Sequence, residues 1–190
     1  MLKINAMAQS KSGVESYHSL SRNESYVWMP VLHYTTKHGF YGEARYNYEE
    51  LQTGSIYAGK NFSGGEKINY SVTPMLGVVF GKYNGGSAAM NVDIEYGKMF
   101  FSGQLQYTVN KENKEEDFFY NWSELGCNIG NKFYGGISMQ QTKLYGSRIS
   151  ADTGLLLGFE TGKITIPLYL FSPFSEKRNV ILGLIIEWGK

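Results

Sequence analysis

Long apolar runs are missing from this 190-residue chain. No stretch reaches the 18 or so consecutive apolar residues of a membrane-spanning helix. That excludes a helical anchor but not a β-barrel, whose wall strands turn only every second residue to lipid. Cysteine is all but absent. Cys127 stands alone, so neither an internal disulfide nor a cysteine-built zinc site is available, and its mid-chain position does not suit a lipid anchor. Proline is scarce, with 4 residues, which leaves strands largely uninterrupted. Charge of either sign is not in excess: 18 Lys+Arg against 17 Asp+Glu leave +1. With no basic stripe, nucleic acid is not an expected partner. Metal-ligand spacings, phosphate loops and nucleotide motifs are lacking too, so no cofactor or metal site is expected.

Aromatics and glycine are what the chain does have: 15% Phe, Trp and Tyr, including 15 Tyr, and 23 Gly. Tyrosine and tryptophan suit membrane interfaces, where the ring is buried and the polar tip stays wet. The segment from Ala88 to Val109 shows how these residues are arranged. Ala88, Met90, Val92, Ile94 and Tyr96 alternate with Ala89, Asn91, Asp93 and Glu95. After Gly97-Lys98, Met99, Phe101, Gly103, Leu105, Tyr107 and Val109 alternate with Phe100, Ser102, Gln104, Gln106 and Thr108. A two-residue turn pairs Tyr96 with Met99 and puts both apolar sets on one face. Each strand runs for about 10–12 residues, the length that crosses a tilted bilayer and roughly twice that of a soluble strand. An aromatic-rich soluble β-sandwich is the competing class, and its strands are shorter.

The pattern recurs along the chain. Strands are predicted near 24–36, 39–51, 55–62, 67–83, 87–96, 99–110, 117–129, 133–144, 149–161, 164–171 and 179–188, with one more candidate at 13–20. Tight connections (37–39, 63–65, 97–98, 130–132, 162–163) alternate with longer or more charged ones (111–117, 145–148, 172–178). Bacterial outer-membrane barrels have short periplasmic turns, longer external loops and an even strand count. The expected fold is therefore an all-β, closed, antiparallel up-and-down transmembrane barrel of about 12 strands, with 10 as the alternative. Both termini are expected to be periplasmic. Ala6-Met7-Ala8 before Gln9 has the small-x-small form of a signal-peptidase site. Residues 1–8 read as a signal-peptide remnant, 9–23 as a polar lead with the candidate first strand, and 24–190 as the barrel domain.

Charged residues select the inner face. Glu43, Arg45, Asn47 and Glu49 alternate with Gly42, Ala44, Tyr46 and Tyr48, and an arginine facing lipid at the midplane costs about 2–4 kcal/mol. The same argument directs Asp93, Glu95, Gln104, Gln106, Glu160 and Glu187 into the lumen. In 117–129, the outward set Leu125, Cys127 and Ile129 would leave Tyr120, Trp122 and Glu124 inside. Two readings of this lining stay open: a polar pore, or a packed network in which Arg45 ties carboxylates together. An open lumen would favour cations or neutral solutes. The only arginines are Arg22, Arg45, Arg148 and Arg178, which argues against an arginine-lined path for acidic sugars.

No enzyme is expected. A membrane-embedded hydrolase needs a nucleophile, a histidine and an orienting group together. His38 falls in a turn, His18 in the polar lead and His33 on a strand of open register, and the sequence fixes no such trio. Thr73-Pro74, inside a long strand, suggests a bulge or strand break, because proline cannot donate to the ladder.

Arg45-Tyr46-Asn47-Tyr48-Glu49, Thr73-Pro74-Met75-Leu76-Gly77-Val78 and Tyr120-Asn121-Trp122-Ser123-Glu124-Leu125 resemble a group of bacterial outer-membrane barrels frequent in Bacteroidota and related Gram-negative bacteria. The likeness runs from about Tyr26 to Trp188. It implies a closed barrel in the outer membrane and no assigned activity, so no functional residue is carried over. The leading expectation is a narrow channel or small-solute porin with a mildly acidic lumen. A non-conducting accessory barrel in a larger outer-membrane complex is the alternative. Expected partners are outer-membrane lipid, the barrel-assembly machinery, and small solutes or other outer-membrane proteins.

Overall fold

The computed structural model describes residues 10–22, 25–144 and 150–189. The possible signal remnant at 1–8 lies outside them. The strands are β1 (Lys11–Ser21), β2 (Val27–Thr35), β3 (Phe40–Tyr46), β4 (Thr53–Lys60), β5 (Phe62–Gly64), β6 (Ile68–Gly81), β7 (Gly85–Tyr96), β8 (Met99–Asn110), β9 (Phe118–Ile129), β10 (Phe133–Leu144), β11 (Ser150–Thr161), β12 (Ile164–Phe171) and β13 (Asn179–Gly189). All pairings are antiparallel and, apart from β4 and β5, join chain neighbours; β1 closes on β13 from Lys11↔Gly189 to Ser21↔Asn179. β4 and β5 both pair with β6 in one register, Gly59↔Met75 and Phe62↔Val72, so they are two halves of one wall strand. The result is a closed barrel of 12 strands, and the candidate strand at 13–20 supplies the even count.

The break between β4 and β5 follows from Pro74. β6 runs through the proline without interruption and keeps its register to β7, Pro74↔Met90. The missing N–H is felt on the other side, opposite Lys60. There the ladder lapses, and the Asn61 side chain bonds Ser71 Oγ at 2.6 Å and Thr73 Oγ1 at 2.7 Å. The bulge or break expected at Thr73-Pro74 does not occur in that strand; the interruption falls in its partner, between β4 and β5.

Alternation sorts the wall. Outward side chains are large and apolar: Leu32, Ile56, Leu76, Val78, Ile94, Ile137, Leu157 and Leu182 are all more than a third exposed, Leu76 at 71%. A soluble protein rarely leaves so continuous an apolar belt uncovered; lipid is its solvent. Trp28, Tyr46, Phe80 and Tyr107 ring the long-loop end, and Tyr34, Phe40, Tyr96, Phe133 and Trp188 ring the tight-turn end, as aromatic girdles do. Gly97, Gly130 and Gly162 adopt φ of 61°, 71° and 63° in the tight turns, a region where only glycine is unstrained.

One strand ends earlier than its pattern predicts. Alternation through Leu51 reads as wall, but β3 stops at Tyr46. Asn47 has φ 55° and Gln52 φ 57°, and between them the chain folds into the barrel mouth. Tyr48, predicted to share the outward face with Tyr46, therefore lies inside. Asn47 does not line the lumen: its side chain donates to Trp28 O at 3.0 Å and accepts from Gln52 N at 2.8 Å, holding the loop.

Candidate functional site

The interior divides into three levels. At mid-height, Arg45 on β3 is 4% exposed. Its Nε donates to Glu43, its Nη1 donates to Gln106 Oε1 at 2.9 Å, and Glu49 Oε1 lies 3.6 Å away. Tyr48 and Tyr57 cover the guanidinium, their ring centroids 4.8 and 4.5 Å from its carbon. Glu49 also accepts from Ser55 Oγ at 2.8 Å and Tyr57 Oη at 2.9 Å. Gln106 passes the chain on to Thr108 at 2.9 Å, and Thr108 meets Ser87 at 3.0 Å. Tyr41 donates to Glu43, and Tyr48 donates to Gln104 on β8. A charged group is tolerated in such a place because its fork is matched by acceptors and stacked on rings.

The belt continues as aromatics. Tyr48 meets Tyr120 edge-on at 6.1 Å. Trp122 then packs on Tyr169 at 4.9 Å, Phe171 at 6.1 Å and, from β1, Tyr17 at 5.7 Å. Trp122 Nε1 is satisfied by Ser138 Oγ at 2.9 Å. Side chains thus bridge the lumen from β3 through β9 to β1. Twelve strands enclose more than the filled interior of an eight-stranded barrel and less than the aqueous bore of a 16-stranded one, so bulky residues decide how much stays open.

Towards the tight-turn end the inward positions carry several carboxylates, with Lys11 of β1 on the same inward face. Asp93 accepts from Ser102 Oγ at 2.8 Å, and Glu95 lies one inward position further on. Glu15 accepts from Tyr17 Oη at 2.7 Å and faces His33 Nε2 at 3.4 Å. Glu124 shares the inward face of Trp122, Glu160 that of Leu156, and Glu187 that of Ile181. Above the belt, a cavity of about 200 Å³ opens between Ser19, Val27, Met29, Tyr48, Tyr120, Trp122, Gln140, Asn179 and Ile181. None of these residues is charged.

Of the residues singled out from sequence, Glu43, Arg45, Glu49, Gln104 and Gln106 meet in one network. Asp93, Glu95, Glu160 and Glu187 take inward positions nearer the tight turns, and Asn47 is at the rim. Sequence reasoning missed Glu15, His33 and Tyr48. Glu15 had a legible signal, since it shares parity with Tyr17 once 13–20 is accepted as a strand. Tyr48 had none, because its direction depends on a loop that answers to Arg45.

Strand closure, lipid-facing exterior and polar interior together define a transmembrane β-barrel. The solved structures it resembles include porins. The KdgM porin superposes with a TM-score of 0.65 at 8% identity over 92% of this chain and 98% of that one. Its complex with disordered oligogalacturonate gives 0.65 at 8% over 93% and 98%. The NanC porin gives 0.63 at 8% over 94% and 99%. At such identity the likeness is one of fold. No protein-family profile and no curated protein matches the sequence.

Proposed function

We propose that this chain is a narrow outer-membrane channel for small cationic or neutral solutes, with the tight turns and both termini on the periplasmic side. The observation that carries the reading is the belt around Arg45. The inward loop 47–52 narrows the lumen there, and a carboxylate-lined chamber lies beyond it. Among the described residues, Arg45 Nη2, Glu49 Oε2 and Asn91 Oδ1 are buried without a protein partner. Such atoms in a lumen are ordinarily satisfied by water, which supports a wet path past the belt. The oligogalacturonate of the KdgM complex is polyanionic, whereas among the described residues inward carboxylates outnumber the inward cations Arg45 and Lys11. The substrate class is therefore expected to differ even though the wall is shared.

The non-conducting accessory barrel is favoured by one specific observation, the unbroken contact from Tyr48 through Trp122 to Tyr17. Conductance of the purified protein in planar bilayers decides between the two. Small unitary steps with cation preference are expected. A folded barrel, heat-modifiable on a gel yet electrically silent, would refute the channel.

A further inference from the structure

The outer wall carries a feature that neither the lumen nor the fold requires. On β1, Tyr17 is buried inside, so alternation turns Ser16 and His18 outward. Their ladder partners on that face are apolar: Trp28 and Pro30 on β2, Leu182 and Leu184 on β13. Polar side chains in such a wall raise the cost of insertion, and these are linked to one another. Ser16 Oγ lies 3.0 Å from His18 Nε2, and His18 Nδ1 lies 2.5 Å from Tyr26 Oη, with the two rings stacked at 5.9 Å. Trp28 Nε1 donates to Ser16 Oγ at 2.8 Å.

We propose that Ser16, His18 and Tyr26 form a lipid-facing acyl-ester hydrolase site. The chain runs from hydroxyl to imidazole to orienting group, the arrangement that activates a serine. A proton on Nδ1, donated to Tyr26 Oη, leaves the Nε2 lone pair towards Ser16. Tyr26 and Trp28 belong to the aromatic girdle, which sits at headgroup level, where the carboxylic esters of membrane lipids lie. The substrate class is thus a lipid carboxylic ester entering from the bilayer.

Ser16 Oγ attacks the ester carbonyl carbon, and its proton passes to His18 Nε2. The tetrahedral adduct collapses by breaking the bond to the alcohol oxygen, which leaves with that proton. Water, giving its proton to His18, then attacks the acyl-Ser16 carbonyl. The free fatty acid departs and the serine recovers its hydrogen. The Trp28 N–H, already bonded to Oγ at 2.8 Å, is a side-chain donor beside the bond being made. Sequence reading set His18 apart in a polar lead. The trio becomes visible only when β1 is a wall strand and Ser16-Tyr17-His18 presents alternate residues to lipid.

The test uses the refolded full chain in phospholipid mixed micelles, with a long-chain alkyl fluorophosphonate as probe. Peptide mapping should place the label on Ser16. Fatty acid should be released by the wild type, and release should fall on the order of a hundredfold or more in Ser16→Ala and in His18→Gln. Tyr26→Phe keeps the stacked ring but not the oxygen; as a positioning change it should lower kcat about tenfold with KM unchanged. All three side chains face outward, so the heat-modifiable gel shift should persist in every variant and report correct folding. A folded wild-type barrel that neither takes the label at Ser16 nor releases fatty acid overturns the proposal. So does release that survives Ser16→Ala.

Discussion

Arg45 holds the interior together through geometry more than through charge alone. Its fork reaches Glu43, Gln106 and Glu49 at once, and its planar face lies between two tyrosine rings. Removing it strands two carboxylates that are themselves out of contact with bulk water. Breaking a buried pair in this one-sided way costs about 3–5 kcal/mol. Arg45→Ala is therefore expected to lower the unfolding free energy of the liposome-folded barrel by that order. Arg45→Lys should restore only part of it, because an ammonium neither forks nor stacks. Urea titration followed by tryptophan fluorescence measures both. An alanine variant as stable as the wild type would show that the carboxylates find other partners, and the network would then not be a structural tie. Arg45 was legible from its period-2 neighbours; Tyr48, its stacking partner, was not. Period-2 reasoning carries a strand forward until a turn signal appears, and Asn47 at φ 55° gives none stronger than any other asparagine.

Among the elements, local chemistry set most boundaries. The hairpin β7–β8 turns at Gly97-Lys98 with Tyr96↔Met99 paired, as the alternation requires, and the final strand keeps Val180, Leu182, Leu184, Ile186 and Trp188 together on the outer face. β3 and β4–β5 depart from the sequence pattern for different reasons: past Tyr46 the chain turns inward, where Tyr48 and Glu49 reach Arg45 of β3 itself, and β4 lapses where Pro74 of β6 has no hydrogen to give. That second account has a direct consequence. Pro74→Val supplies the missing donor opposite Lys60 on a lipid-facing position that already tolerates bulk. The ladder should then run unbroken from Thr53 to Gly64, adding about 1 kcal/mol for the new bond. Hydrogen exchange should show the amides flanking Asn61 gaining protection, with the rest of the barrel unchanged. No gain there would mean that Asn61 itself, held by Ser71 and Thr73, sets the break.

At the scale of the whole barrel, closure turns residues distant in sequence into one lining. Asp93 on β7, Glu124 on β9 and Glu160 on β11 come from alternate strands, and Glu187 on β13 and Glu15 on β1 meet where the barrel closes; nothing local in the sequence links them. Their common inward parity was legible for Asp93, Glu160 and Glu187 because each lies on a strand with a clear apolar face. Glu15 had a weaker signal, because the outward side of β1 mixes Ser12, Ser16 and His18 with Val14 and Leu20 instead of presenting a wholly apolar set. A ring of like charge in a narrow lumen concentrates cations and repels anions, so ion selectivity is the property that reads the chamber as a unit. Asp93→Asn with Glu95→Gln removes two of its carboxylates with little change in volume and without touching the Arg45 network. The reversal potential under a tenfold potassium chloride gradient should move from the cation side towards zero, while unitary conductance changes less than twofold. Arg45→Ala should move the same potential the other way, because it deletes the inward arginine at the belt. If both variants leave the reversal potential where the wild type has it, current does not pass through this lumen, and the acidic chamber serves the packing of the barrel.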